Sequence, residues 1–146
     1  MACPNKYQKS SLMAYNSTEQ TTGNNIKFTN ISYQSGVSIN LTEGSDTIYL
    51  KNPGLYYVDI DIIMSNTTAT TASIVQMYIN GVALAGGLTE ASITAIGDFV
   101  PGSISALVPV GPQCQYACNK GVPITFVISG ATATVEGVNI VVMKIA

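Results

Sequence analysis

Apolar and polar residues alternate with a period of two along much of this chain. That is the period of a strand with one face on a core and the other turned outward. The longest run is Leu55–Met64. Tyr56, Val58, Ile60, Ile62 and Met64 fall on one side and are all apolar, while Leu55, Tyr57, Asp59, Asp61 and Ile63 fall on the other. Val37–Leu41, Thr47–Leu50 and Ile26–Ile31 carry shorter versions of the pattern, and Lys51-Asn52-Pro53-Gly54 is a turn sequence. Ile74–Ile79 ends on Asn80-Gly81, the preferred sequence of a two-residue hairpin turn with positive φ at both centres, and Val82–Ala85 returns from it. Gly86-Gly87 is expected to break that strand. Residues 88–110 hold one or two weaker strands around Pro101-Gly102, the clearer being Ile104–Val108. No helical period is sustained anywhere, so the pattern predicts a β-sandwich or barrel.

The last two strands read differently. In Val138–Ile145, Val138, Ile140 and Val142 oppose Val141, Met143 and Ile145, and Ile124, Phe126 and Ile128 oppose Val127. A strand that is apolar on both faces is covered on both. A two-layer sandwich covers only one, so the second calls for a neighbouring subunit. Residues 1–24 are polar and carry no comparable signal. They are expected to form an N-terminal arm that attaches the molecule to something else, with residues 25–146 forming the folded domain.

Composition narrows the function. Only 10% of the 146 residues are charged, against roughly 25% in an ordinary soluble domain. Arg, His and Trp are absent. Without His there is no imidazole base, and the usual Ser-His-Asp triad is closed. A net charge of −2 with six scattered Lys argues against nucleic acid as a partner. No apolar run reaches the roughly 18 residues of a membrane helix. No signal peptide is recognised, so synthesis in a cytoplasm is expected. These absences predict a protein that is not an enzyme and uses no cofactor.

Few residues suggest chemistry. Asp59 and Asp61 are two apart on one strand and point away from the core together. They are a solvated pair, a pair satisfied by Lys27 or Lys144 or, repeated by symmetry, carboxylates for a hard cation. Cys114 and Cys118 lie in a Gly- and Pro-bracketed loop. They are reduced thiols, a local disulfide or, with no His to help, part of a metal site; Cys3 leaves the count odd. Asn16, Asn30, Asn40 and Asn66 open Asn-x-Ser/Thr sequences that arise readily in so Asn- and Thr-rich a chain. Tyr33 and Tyr116 are candidates for stacking on a sugar or anchoring an interface.

Gly54-Leu55-Tyr56-Tyr57-Val58 resembles the G-x-Y strand of the tumour-necrosis-factor (TNF) and complement-type globular heads, and Tyr78-Ile79-Asn80-Gly81-Val82 resembles their hairpin. The order Val37–Leu41, Thr47–Leu50, Gly54–Val58, Asn80-Gly81 and a terminal Ile/Val-rich strand is similar to the C-terminal domain of BclA-like exosporium proteins. The resemblance implies an all-β jelly-roll β-sandwich, TNF-like, with about ten strands in two antiparallel sheets, assembled as a homotrimer and used for display or attachment. It implies that Tyr57, Val141, Met143 and Ile145 lie at the trimer interface. Related heads occur on bacteriophage particles, and this chain has no collagen-like stalk. The expectation is therefore a structural protein of the virion surface, a capsid decoration or head fibre held to another virion protein by its arm. The alternative is a recognition module on a spore surface that binds a glycan or protein receptor.

Overall fold

The structure is a computed structural model and describes residues 9–67, 71–112, 121–130 and 133–146. Eleven strands form two antiparallel sheets: β1 (Ser11–Asn16), β2 (Gln20–Thr21), β3 (Asn30–Ser35), β4 (Ile39–Asn40), β5 (Ile48–Leu50), β6 (Gly54–Asn66), β7 (Thr71–Ile79), β8 (Val82–Ile93), β9 (Val100–Val110), β10 (Val122–Ser129) and β11 (Ala133–Lys144). One sheet has the order β3-β1-β11-β6-β9, with β2 also on β11, and the other β4-β5-β10-β7-β8. No helix among the described residues is long and apolar enough to cross a membrane. The sheets pack face to face as a jelly roll.

The core is the inward half of each alternating run. Tyr56, Val58, Ile60, Ile62 and Met64 of β6 are at most 1% exposed. They meet Val138, Ile140 and Val142 of β11 and, from the opposite sheet, Val75, Met77, Ile124, Phe126 and Ile128. Phe28 and Phe126 meet edge to face, with centroids 6.4 Å apart and planes at 83°, a favoured aromatic geometry.

The Gly54-x-Tyr56 sequence has two physical causes. Gly54 sits at φ 151°, and a Cβ there would lie 2.2 Å from the Ala146 carbonyl oxygen. The C-terminal backbone crosses directly over it and bonds to Leu55, which donates to Ala146 and accepts from Ile145. The buried Tyr56 hydroxyl donates to the Asn52 carbonyl at 2.6 Å, tying the turn to the strand. Its burial pushes the phenol pKa up.

Four expectations change. Residues 1–24 are not simply an arm, because Ser11–Asn16 is an interior strand paired with β11 on one side and β3 on the other. Leu12 and Ala14 are fully buried, a two-residue alternation too short to stand out from its polar surroundings. The expected break at Gly86-Gly87 is a bulge within β8. The register with β7 slips between Gln76 and Tyr78, and the Gln76 side-chain amide lies on the carbonyls of Met77, Leu84 and Gly87 at 2.9–3.0 Å. Ile26 and Phe28 are buried, but their segment forms no strand of its own: it meets β10 through the Asn25–Val127 bridge, with the Ile26 N–H bonded to Phe126 and the Ile128 N–H to Asn24, and the next strand starts at Asn30. The Val37–Leu41 strand is likewise reduced to β4.

The Asn80-Gly81 turn has φ 52° and 78°, the two positive values its sequence predicts. A β-branched residue resists that region, so Gly81→Val is expected to cost about 1–3 kcal/mol in a denaturant melt. Open space around the Gly81 Cβ position confines the cost to the backbone. Deleting Ser11–Asn16 is expected to abolish folding, read as loss of the cooperative melt and of dispersed NMR signals. A truncated chain that still melts cooperatively would mean that β1 is dispensable.

Candidate interaction face

Directly opposed residues of an antiparallel pair point to the same side of the sheet, so the register of the six-stranded sheet lays out its outer face row by row. One row is Ser35, Ser11, Met143, Tyr57 and Leu107. The next is Tyr33, Met13, Val141, Asp59 and Ser105. The third is Asn30, Tyr15, Asn139, Asp61 and Ser103. Beyond them Ile63 lies between Gly137 and Pro101. The apolar members of this surface are large and open: Leu107 is 58% exposed, Tyr33 55% and Ile63 46%, and Met13, Tyr15 and Met143 are each close to 40%. Ile145, just past the end of β11 and in phase with Met143, is 50% exposed. Most of the exposed large apolar side chains of the described residues are therefore gathered on one sheet face. A contiguous surface of that kind marks a contact with another macromolecule.

Polar groups form a band across its middle. The Ser105 hydroxyl donates to Asp59 Oδ1 at 2.7 Å, and Asp61 lies one row further along beside Ser103 and Asn139. The register places no lysine on these rows. Asp59 and Asp61 of one chain fall short of the six to eight oxygens a Ca²⁺ ion takes. Among the described residues no group of three or more His, Cys, Asp or Glu is placed to hold a metal. A depression of about 660 Å³ opens beside the band, lined by Tyr15, Asp61, Ile63, Pro101 and Asn139 among others. It exists because Gly137 brings no side chain to the face.

Tyr57, Val141, Met143 and Ile145 are thus brought together on this face, with Asp59 and Asp61 between them. Met13, Tyr15 and Leu107 belong to it and were not singled out from the sequence. Met13 and Tyr15 alternate with Leu12 and Ala14, the signal by which they could have been found. Cys3, Cys114, Cys118 and Tyr116 lie outside the described residues. Of the four Asn-x-Ser/Thr sequences, Asn16 and Asn66 are buried, at 3% and 2% exposure, and closed to a glycan in the folded chain. Asn16 is used structurally: its amide donates to the Lys27 carbonyl, and its oxygen accepts from the Thr18 backbone and hydroxyl.

The sequence matches no protein-family model and no curated protein. The fold does have neighbours. Murine APRIL is 13% identical with a TM-score of 0.65, over 94% of this chain and 100% of that one. The PRD1 vertex protein P5 is 17% identical with a TM-score of 0.61, over 95% of this chain and 97% of its own. The Eiger TNF from S. frugiperda is 11% identical with a TM-score of 0.60, over 95% and 92%. At these identities the likeness is one of fold, and the fold is a TNF-like jelly roll.

Proposed function

We propose that this chain is a non-enzymatic structural and attachment protein that works as a homotrimer, closed through the outer face of the six-stranded sheet, on the surface of a bacteriophage particle. The observation that carries the reading is the apolar face itself. Tyr57, Leu107, Val141, Met143 and Ile145 are set by the same alternation that builds the core, so their outward display is a property of the whole sheet. Two findings support the setting. The fold neighbours are TNF-type proteins and a phage vertex protein, a structural component. The chain has no His or Arg and few charges, which suits assembly better than catalysis.

In this reading the residues before β1 are the anchor, in place of the longer arm of residues 1–24. A capsid or other virion protein would hold them, while the sandwich is displayed as a decoration or head fibre. Recognition of a surface receptor in the BclA-like manner would use the same trimer. It is favoured by Ile96 and Phe99, 68% and 66% exposed on the loop between β8 and β9, at the end of the sandwich away from Ser11 and Lys144.

Light scattering of the purified wild-type chain is expected to give a trimer at micromolar concentration. Met143→Asp buries an unpaired charge in the closed interface, a cost of several kcal/mol, and is expected to give monomer or insoluble protein. Val82→Asp, at a 69% exposed position on the hairpin of the other sheet, is expected to leave the trimer intact. A wild-type chain that is a folded, soluble monomer would overturn the assembly.

Removing residues 1–8 is expected to preserve the trimer and its melting temperature while abolishing incorporation into particles, scored by co-sedimentation with capsids. Normal incorporation of the truncated trimer would move the anchor onto the head.

A further inference from the structure

The strands that converge on the loop between β8 and β9 form a second surface feature, separate from the self-association face. A cleft of about 340 Å³ is lined by Glu19, Ser65, Asn66, Thr67, Ile96, Gly97, Phe99, Thr134 and Glu136. It lies at the pole opposite Ser11 and Lys144. Across β11, Ala133 faces Asn66 at this pole and Lys144 faces Tyr56 at the other, about 35 Å away at the usual rise per strand residue.

Two independent devices shape the cleft. The first is a bulge: Val135 pairs with Met64 and Gly137 with Ile63, which leaves Glu136 as the extra residue between them. A bulge turns a side chain out of the regular alternation. The Glu136 carboxylate is thereby brought to Glu19, just before β2, and is held by a 2.9 Å bond from the Thr134 hydroxyl. The second is the loop of residues 94–99. Its turn is closed by the Asp98 N–H bond to the Ala95 carbonyl, and it leaves Ile96 and Phe99 exposed in the lining of the same cleft.

Charge gives the cleft its polarity. The charge of Glu136, then a hydrogen bond between the two carboxyl groups and then desolvation raise the Glu19 pKa above the ordinary carboxylate range. No lysine lines the cleft to relieve that repulsion. Lys9, Lys51 and Lys144 sit at the pole where Ser10 bonds to Lys144, and Lys27 lies beside Asp46, whose carboxyl it helps to hold down. Glu19, Asp98 and Glu136 mark the distal pole. A cleft lined by two acidic side chains and an open aromatic ring is complementary to a cation with an apolar stem, since a ring face attracts positive charge and apolar side chains accept the stem.

We propose that the distal cleft between Glu19, Glu136 and Phe99 binds a basic side chain, arginine or lysine, presented by a partner protein. The site is complete within one chain and does not depend on the trimer. It gives the displayed pole a chemical preference for basic protein surfaces.

The test uses the full chain and NMR titration with Nα-acetyl-arginine amide and Nα-acetyl-lysine amide. The neutral isostere Nα-acetyl-citrulline amide is the control. The expected result is saturable shifts at Glu19, Phe99, Thr134 and Glu136 with the two cationic probes, and at least tenfold weaker binding of citrulline. Glu136→Gln and Phe99→Ala are each expected to weaken arginine binding tenfold or more. Glu43→Gln, on another loop, is expected to leave it unchanged. Equal binding of citrulline and arginine, or wild-type affinity in Glu136→Gln, would overturn the proposal. So would calcium chloride alone producing the same shifts while the arginine probe produces none, which would make the carboxylates a hard-cation site. Light scattering on the same samples reports the trimer separately, so a monomer that still binds arginine refutes the assembly and leaves this site standing.

Discussion

The antiparallel pairing of β6 with β11 is the constraint on which the rest of the molecule depends. It runs from Ala133 opposite Asn66 to Lys144 opposite Tyr56. Because side chains alternate, this one register decides two surfaces at once. It stacks Val58, Ile60 and Ile62 against Val142, Ile140 and Val138 in the core, and it sets Tyr57, Asp59 and Asp61 beside Met143, Val141 and Asn139 outside. A slip of one residue would exchange the two sets. That would bury both aspartates in hydrocarbon, an expensive error unless a partner charge came with them. The register is therefore pinned by the cost of the wrong one. It is pinned again at its end, where the C-terminal backbone lies over Gly54 and bonds to Leu55.

Much of this was legible in the chain because β6 is long and alternates cleanly, while β10 and β11 are rich in β-branched residues on both faces. The hairpin was legible because Asn80-Gly81 suits only one kind of turn. What escaped did so for identifiable reasons. β1 offers just Leu12 and Ala14 to the core, and it is stable as a strand because β11 and β3 flank it. No local signal reports that tertiary support. The glycines of β8 and Pro101 of β9 read as breakers. Yet β8 absorbs Gly86 in a bulge patched by the Gln76 amide, and among the described residues β9 is an edge strand of its sheet, where proline is tolerated.

The candidate face was legible in part. Tyr57, Val141, Met143 and Ile145 follow from a strand too apolar on both sides to face water. Met13, Tyr15 and Tyr33 join the face through β1 and β3, and their place depends on recognising β1 first. The distal cleft was not legible at all. Glu19 and Glu136 meet only because β2 returns to pair with the start of β11, and Glu136 is turned out only by a one-residue slip that leaves no mark in the sequence pattern.

The scarcity of charge ties these surfaces together. A sheet face that is to be covered by copies of itself tolerates few ions, since each must be desolvated on closure. The two that it has are placed in the middle band, where Ser105 already donates to Asp59. In such a contact the Ser105 hydroxyl would replace part of the water that Asp59 gives up. Of the other acids, Glu19, Asp98 and Glu136 lie at the pole furthest from Ser11 and Lys144. The same scarcity of charge makes the acidic cleft of Glu19 and Glu136 a feature of the distal pole, set apart from the apolar sheet face.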